Sequence, residues 1–459
     1  MRKLIGIVAA LALGAIAFTG CNGGGDTTTP PATGGAPSNS AGNTPPADAG
    51  KITIAWAKWK PSDYLDELSA KFTKDTGIKV EVKQIEWKDY QTKIQTDAWG
   101  SKSADYDLIV GDSQWLGRAE KEGHYEDLTE WAKTNVPWAE IDPSARKFYC
   151  DYNGKTIAVP CEADAIGFAY RKDWFEDPKE KDAFKAKYKR DLAVPKTWDE
   201  LKDIAEFFTR PDKKQYGVAV FYKGGGGYDG ITMGFDQVLW SYGAELADPA
   251  TGKVEGAINS PTAVKALDFY TKTLKAFTPP GSEKFYFDEC LSAFTSGQVA
   301  MTMDWYTFFP GLTSADANPQ AANTGYFAVP GAAKHFVSLG GQGLSISSYS
   351  KNKENAKKFL AWFCKRENQQ EWAKLGGLTC NTEVLKSDDF KKAAPFNEAF
   401  AETVPHLKDF YNNPVYADLL DQTQTHWNAV VTGSETSQQA MDAIAKKHTE
   451  TLTKAGLLK

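Results

Sequence analysis

The stretch that most constrains the fold of this chain is residues 156–173, TIAVPCEADAIGFAYRKD. It holds two short apolar runs, each typical of a buried strand. Between the runs lie Pro160, which cannot donate a backbone hydrogen bond to a sheet, and the acids Glu162 and Asp164. This pattern predicts that the chain leaves one lobe at Pro160 and enters another, so that both acids face the cleft between the lobes.

The rest of the chain alternates between strand and helix patterns. Strands are predicted at 51–57, 78–84 and 106–110, with helices at about 62–75 and 87–99 between them. Such alternation indicates a parallel sheet, in which ligands bind beyond the carboxyl ends of the strands. A chain of 459 residues is also longer than one hydrophobic core usually takes. We therefore expect an α/β protein with two lobes.

Side chains that follow the first and third predicted strands are candidate ligand contacts. Lys58 and Trp59 follow the first strand, and Asp112, Gln114 and Trp115 follow the third. An indole offers a flat apolar face and an N–H donor to a sugar ring, and a carboxylate accepts strong hydrogen bonds from hydroxyl groups. The alternative for each tryptophan is core packing, and the alternative for each polar residue is a solvated surface or a hinge cap.

Further candidates lie at the crossing and beyond it. Glu162 and Asp164 occupy the crossing itself, Trp305 follows a predicted strand, and Gly341 and Gln342 interrupt strand-like sequence. Gly341 would offer its backbone amide to the cleft, and Gln342 its side-chain amide. Weaker candidates flank a run of four glycines: Tyr222, Tyr228 and Asp229.

The N-terminus has the pattern of a processing signal. Arg2 and Lys3 precede an apolar segment that is too short for a stable membrane span, and Phe18-Thr19-Gly20-Cys21 then resembles a bacterial lipobox. The resemblance implies a signal peptide over 1–21, lipidation of Cys21, and a tether over 22–50, whose composition cannot form a core. We expect an exported protein, lipid-anchored at the outer face of the cell membrane or in the periplasm. The alternative is an ordinary secretory signal peptide.

Charge and cysteine content limit the other classes of function. The formal net charge of −6 has no long single-sign blocks, which argues against a nucleic-acid partner. The chain has no CxxC motif and only five histidines, so we predict no metal site, and we expect no cofactor. Five cysteines follow Cys21, an odd number for an exported chain. Their pairing stays open, with Cys150–Cys161 and Cys364–Cys380 as two options.

Several short stretches together resemble one known family. They are FTKDTGIKV at 72–80, DLIV at 107–110, the crossing itself, and FTSGQVAM at 294–301 with Trp305. The pattern is similar to the extracellular solute-binding proteins of ABC sugar importers, the group that includes maltose-binding protein. The resemblance implies a type II periplasmic-binding-protein fold, with three hinge crossings and a ligand cleft between two α/β lobes. Lobe one would comprise 51–160 and 333–376, and lobe two 163–329 and 381–459.

The resemblance also implies a function. The chain would capture a sugar or oligosaccharide by closing its lobes and would deliver it to the permease subunits of an ABC importer. It would act as a monomer and not as an enzyme. Two alternatives stay open: an anchored glycoside hydrolase, since paired acids and tryptophans also describe such a cleft, and the same fold with a non-sugar ligand.

Overall fold

The computed structural model describes residues 49–225 and 230–458. The predicted signal peptide, the lipidation site Cys21 and nearly all of the predicted tether lie outside the described residues, as do Tyr228 and Asp229. Among the residues that are described, every helix is too short or too polar to cross a membrane.

The strands, in chain order, are β1 Lys51–Ala57, β2 Lys79–Ile85, β3 Leu108–Asp112, β4 Asp151–Tyr152, β5 Lys155–Thr156, β6 Val159–Glu162, β7 Ile166–Arg171, β8 Tyr216–Ala219, β9 Val299–Trp305, β10 Thr324–Ala328, β11 Val337–Ser338, β12 Gln342–Ile346 and β13 Leu407–Lys408.

The helices of the first half are α1 Lys60–Thr76, α2 Trp87–Thr92, α3 Trp99–Ser101, α4 Leu116–Glu122, α5 Thr129–Asn135, α6 Pro143–Tyr149, α7 Lys172–Glu176, α8 Pro178–Tyr188, α9 Trp198–Phe208 and α10 Gly230–Ser241. Those of the second half are α11 Pro261–Asp268, α12 Phe287–Thr295, α13 Pro310–Thr313, α14 Lys353–Phe363, α15 Arg366–Leu375, α16 Thr382–Lys386, α17 Asp388–Ala393, α18 Asn397–Thr403, α19 Tyr416–Val431 and α20 Ser437–Lys454.

Two larger sheets organise the described chain. The first has the strand order β2-β1-β3-β12-β6, and the second has the order β10-β7-β9-β8. In the first sheet, β1 pairs in parallel with both β2 and β3, as the alternating pattern predicts. Strand β12 runs antiparallel to β3 and β6, and only the β8–β9 pair of the second sheet is parallel, so both sheets are mixed.

Local sequence signals place several helix ends correctly. Helix α1 ends at Gly77, which adopts φ 75°, a left-handed conformation that glycine reaches without a steric penalty. Thr197 and Glu200 form a capping box at the start of α9, in which each side chain bonds the other residue's backbone N–H. Asp177 caps α8 by accepting a hydrogen bond from the Lys179 backbone at 2.8 Å.

The first crossing connects the two sheets directly, since β6 belongs to the first sheet and β7 to the second. The predicted role of Pro160 is wrong in one respect. Pro160 does not mark the exit from the first sheet but lies inside β6, opposite Gly343. Strand β6 is an edge strand, where a residue without an N–H is tolerated. The break therefore falls at residues 163–165.

The described cysteines are all buried free thiols: Cys150, Cys161, Cys290, Cys364 and Cys380. Neither of the two pairs suggested by the sequence is bonded in the structure.

Candidate ligand-binding site

A cavity of about 250 Å³ lies where the two sheets approach each other. Its walls come from loops after β1 and β3, from the loop after β9 and from the segment before β12. The lining residues are Lys58, Trp59, Trp87, Asp112, Ser113, Gln114, Asp164, Tyr286, Phe287, Trp305, Thr307, Phe308, Leu339, Gly340 and Gly341.

Aromatic rings associated with both sheets line this cavity. On the side of the first sheet, the rings of Trp59 and Trp87 are 5.2 Å apart. On the side of the second sheet, Phe287 and Phe308 stack at 4.7 Å with nearly parallel planes. The Trp59 indole Nε1–H is buried and has no acceptor in the described part of the chain. A flat ligand would therefore find apolar faces on both sides and a hydrogen-bond donor on one.

A short hydrogen-bonded chain fixes Asp112 at the edge of the cavity. The Trp56 indole Nε1–H donates to Gln342 Oε1 at 2.6 Å, and Gln342 Nε2–H donates to Asp112 Oδ1 at 2.6 Å. Burial raises the pKa of the Asp112 carboxyl to about 7, although the bond from Gln342 opposes that shift. Gln342 itself is buried and does not line the cavity.

Asp164 lines the cavity and also holds the loop that follows β9. Its carboxylate accepts hydrogen bonds from the Ala165 N–H at 2.8 Å and from the Thr307 hydroxyl at 2.6 Å. Burial raises the pKa of Asp164 to about 7, and these bonds oppose the rise. Because Trp305 is two residues before Thr307, Asp164 helps to position that indole.

Glycine permits a close approach beside the same indole. A Cβ added to Gly340 would lie 2.4 Å from the Trp305 ring, and one added to Gly341 would lie 2.2 Å from the Tyr149 ring. The Gly-Gly pair before β12 thus lets backbone from the first sheet pack directly against an aromatic residue of the second.

Seven of the ten predicted ligand contacts line the cavity: Lys58, Trp59, Asp112, Gln114, Asp164, Trp305 and Gly341. The Lys58 ammonium bonds Glu86 at 2.8 Å, and both side chains are exposed. The Gln114 side-chain oxygen is buried without a donor in the described residues, which leaves it available to a ligand.

Two more predicted residues lie elsewhere. The ring of Trp115 is fully buried against Tyr90 at 5.6 Å and Trp99 at 6.1 Å, so it packs in the core. Glu162 is also fully buried, and its carboxylate accepts a hydrogen bond from the Leu378 N–H at 3.2 Å. Burial raises the pKa of Glu162 well above its usual range.

Sequence reasoning missed other lining residues, which are Trp87, Ser113, Tyr286, Phe287, Thr307, Phe308, Leu339 and Gly340. Trp87 and Phe287 stand at the first position of α2 and α12, where an aromatic gives no local sign of facing a cleft. Thr307 and Phe308 follow Trp305 directly, and extending that candidate loop by three residues would have found them.

Comparison with known proteins agrees with this architecture. Residues 57–370 match the family described as bacterial extracellular solute-binding protein. A probable amino-acid ABC transporter periplasmic-binding protein from Sinorhizobium fredii is 26% identical, over 85% of this chain and 87% of the relative.

Solved structures give the same fold. Maltose-bound MalE3 from T. maritima superposes with a TM-score of 0.71 and 25% identity, over 87% of this chain and 99% of the other. A solute-binding protein from Agrobacterium radiobacter in complex with ribitol has a TM-score of 0.72 and 26% identity, over 88% and 98%. The chain thus belongs to the family of bacterial extracellular solute-binding proteins and has their two-lobed α/β fold.

Proposed function

We propose that this chain captures a sugar or polyol in the cavity described above and delivers it to the permease of an ABC importer. The observation that carries the proposal is that residues of both sheets line one cavity, to which they bring several aromatic rings together with polar side chains. Stacking rings and a few fixed polar groups are what a polyhydroxylated ligand needs. Relatives of similar fold were solved with maltose and with ribitol.

The lining residues have different roles in binding the ligand. Trp59 and Trp305 stack on the apolar faces of the ligand. Asp112 and Gln114 accept hydrogen bonds from its hydroxyl groups, and Lys58 donates from the rim. Asp164 and the Gly341 backbone lie close enough to the cavity to add further contacts.

Three residues act on binding from a greater distance. Gln342 orients Asp112, Glu162 joins two crossings, and Trp115 supports the loop that carries Gln114. The lobes are proposed to comprise 51–162 with 333–376, and 166–329 with 381–459, and to close over the ligand by bending at the three crossings.

The location and assembly follow from the N-terminal pattern. We propose that Cys21 carries a lipid anchor, that residues 22–50 tether the binding lobes to the membrane, and that the protein works there as a monomer without catalytic activity. An amino acid or another non-sugar solute is the second candidate ligand. The observation in its favour is the pair of carboxyls, Asp112 and Asp164, in the cavity wall.

Thermal shift and tryptophan fluorescence with a solute panel test the proposal. The panel holds maltose, ribitol, mannitol and a set of amino acids, and we expect a sugar or polyol to raise the melting temperature. Trp59→Ala should weaken binding about tenfold or more without unfolding the protein, as expected for an aromatic anchor.

Trp131→Ala is the matched control, since Trp131 is also partly buried but lies in α5 outside the cavity. It should leave the affinity unchanged. If only amino acids raise the melting temperature, the ligand is an amino acid and not a sugar or polyol. Equal losses in the Trp59 and Trp131 variants would remove the cavity as the binding site.

A further inference from the structure

Two carboxyl groups line the candidate cavity without a positive charge beside them. The Gln342 amide donates to Asp112 at 2.6 Å, and the Thr307 hydroxyl donates to Asp164 at 2.6 Å. Both donors are neutral, and neither acid has an ion-pair partner in the described part of the chain. A carboxylate that is withdrawn from water without a counter-charge is costly. A ligand that supplies this charge would therefore be stabilised in the cavity.

The rim does not supply the missing charge. Among the described residues that line the cavity, Lys58 alone carries a positive charge. Its ammonium bonds Glu86 at 2.8 Å, and its side chain is 59% exposed. Lys58 is therefore already paired, at the solvent side of the cavity.

A third carboxyl lies behind the cavity wall. Asp409 is 6% exposed and accepts a hydrogen bond from the side chain of Ser113, which lines the cavity. Burial raises the pKa of Asp409 to about 7, and repulsion from Asp112 adds to the rise. The adjacent Lys408 bonds Glu245 at 2.5 Å instead. The inner wall thus combines three acids with no compensating cation among the described residues.

The aromatic lining also favours a positive charge. Six aromatic side chains line the cavity: Trp59, Trp87, Tyr286, Phe287, Trp305 and Phe308. The face of an aromatic ring attracts a cation within about 6 Å, and tryptophan does so most strongly. Acids and aromatic faces together therefore select for a cationic group.

Two unpartnered polar atoms indicate that charge alone is not enough. Gln114 is 4% exposed, and its Oε1 has no donor among the described residues. The Trp59 Nε1–H is buried and has no acceptor there. An ammonium or a hydroxyl group can donate to Gln114, but an ammonium has no lone pair with which to accept from Trp59. A ligand that satisfies both atoms carries hydroxyl oxygens as well as a charged nitrogen.

We propose that the ligand of this cavity is an amino sugar or amino polyol, whose protonated amino group lies against Asp112 and Asp164. Its hydroxyl groups bond Gln114 and Trp59. The proposal rests on the sugar-binding function proposed above and narrows its substrate class. A free amino acid fits less well, because its carboxylate is repelled by the acids and finds only Lys58 at the rim.

Matched pairs of ligands test the charge. Isothermal titration calorimetry at pH 7 on the purified exported protein compares glucose, galactose and mannose with glucosamine, galactosamine and mannosamine, and sorbitol with glucamine. Maltose and ribitol are measured beside them. We expect at least one amino compound to bind about tenfold more tightly than its hydroxyl parent, because a charge-assisted hydrogen bond is about twice as strong as a neutral one.

The results separate this assignment from the proposed function. If sugars or polyols bind and every amino compound binds no more tightly than its parent, the amino-sugar assignment is overturned and sugar capture stands. If no compound in the panel binds, sugar capture is overturned and the assignment falls with it. Tetramethylammonium, a cation without hydroxyl groups, should bind far more weakly than the preferred amino sugar. Equal binding would overturn the role of the hydroxyl groups.

Charge-removing variants test the two acids. Asp112→Asn keeps an oxygen that can accept from Gln342, and it should lower the preference for the amino compound from about tenfold to about two- to threefold. Asp164→Asn should act in the same direction and serves as the second variant if the first does not fold. The exposed Asp316→Asn is the matched control and should keep the full preference. An unchanged preference in both cavity variants would overturn the assignment.

Discussion

Removing the Gln342 side chain is the sharpest test of how the candidate site is held together. Gln342 is the middle member of the buried chain that runs from the Trp56 indole to the Asp112 carboxylate, with both bonds at 2.6 Å. Gln342→Ala leaves the Trp56 N–H and the Asp112 oxygen without these partners. Each buried polar group that loses its partner costs about 1–3 kcal/mol, so the two groups together predict a loss of about 2–6 kcal/mol.

This loss converts into a measurable change of melting temperature. The entropy of unfolding is about 2.1 cal/mol/K per residue, or about 1 kcal/mol/K for a chain of 459 residues. Gln342→Ala should therefore lower the melting temperature of the ligand-free protein by about 2–6 °C. Differential scanning calorimetry measures it, with Gln298→Ala as the control because Gln298 is exposed.

A second substitution separates the hydrogen bonds from simple packing. Gln342→Glu keeps the size of the side chain but replaces the donor that faces Asp112 with an oxygen. At pH 5 the carboxyl pair holds a proton that one member can donate to the other. At pH 8 the folded pair must either keep this proton at a much lower proton concentration or carry two charges that repel each other, and both cost stability. We expect near-normal stability at pH 5 and a clear loss at pH 8. A loss below about 0.5 °C for Gln342→Ala, or no pH dependence for Gln342→Glu, would show that the two hydrogen bonds of Gln342 do not hold Asp112 in place.

Two more predictions concern the ligand-free protein. The pKa of Asp112 is raised to about 7, so its ionisation opposes folding, and wild-type stability falls as pH rises from about 4 to 7. Asp112→Asn removes that ionisation and should raise the melting temperature more at pH 8 than at pH 5, whereas the exposed Asp316→Asn should give no such difference between the two pH values. Gly343→Ala places a Cβ 2.4 Å from the Tyr149 carbonyl oxygen and should lower the melting temperature by about 1–3 °C; Gly100→Ala, with open space around it, should not.

Residues whose roles are local were predictable from the sequence. Gly77 ends α1 because a left-handed residue is needed there, and Thr197 opens α9 because its side chain can satisfy a free backbone N–H. Strand β1 also follows from its own pattern. In each instance the deciding interactions lie within a few residues of one another, so a short window of sequence contains them.

Residues whose roles depend on the orientation of a side chain or on the position of a strand in its sheet were not predictable in the same way. Trp115 does follow a strand at the ligand-facing edge of the sheet, as predicted, but the turn Ser113–Trp115 directs its ring into the core. Pro160 has the local character of a strand breaker, yet it is accepted within β6 because that strand lies at a sheet edge. Neither the turn nor the edge position can be read from neighbouring residues.

Glu162 shows why the crossings carry so much of this fold. It lies opposite Gln342 in the pairing of β6 with β12, and its carboxylate accepts from the Leu378 N–H of the segment before α16. Glu162 thus joins the first crossing to β12 and to the segment before α16. A buried carboxyl at this point must keep its hydrogen-bond partner, because losing it leaves a charge or a polar group unpaired in the core. Bending at Glu162 that separated these segments would therefore be opposed, so we expect the proposed lobe closure to bend the chain after Glu162, between β6 and β7.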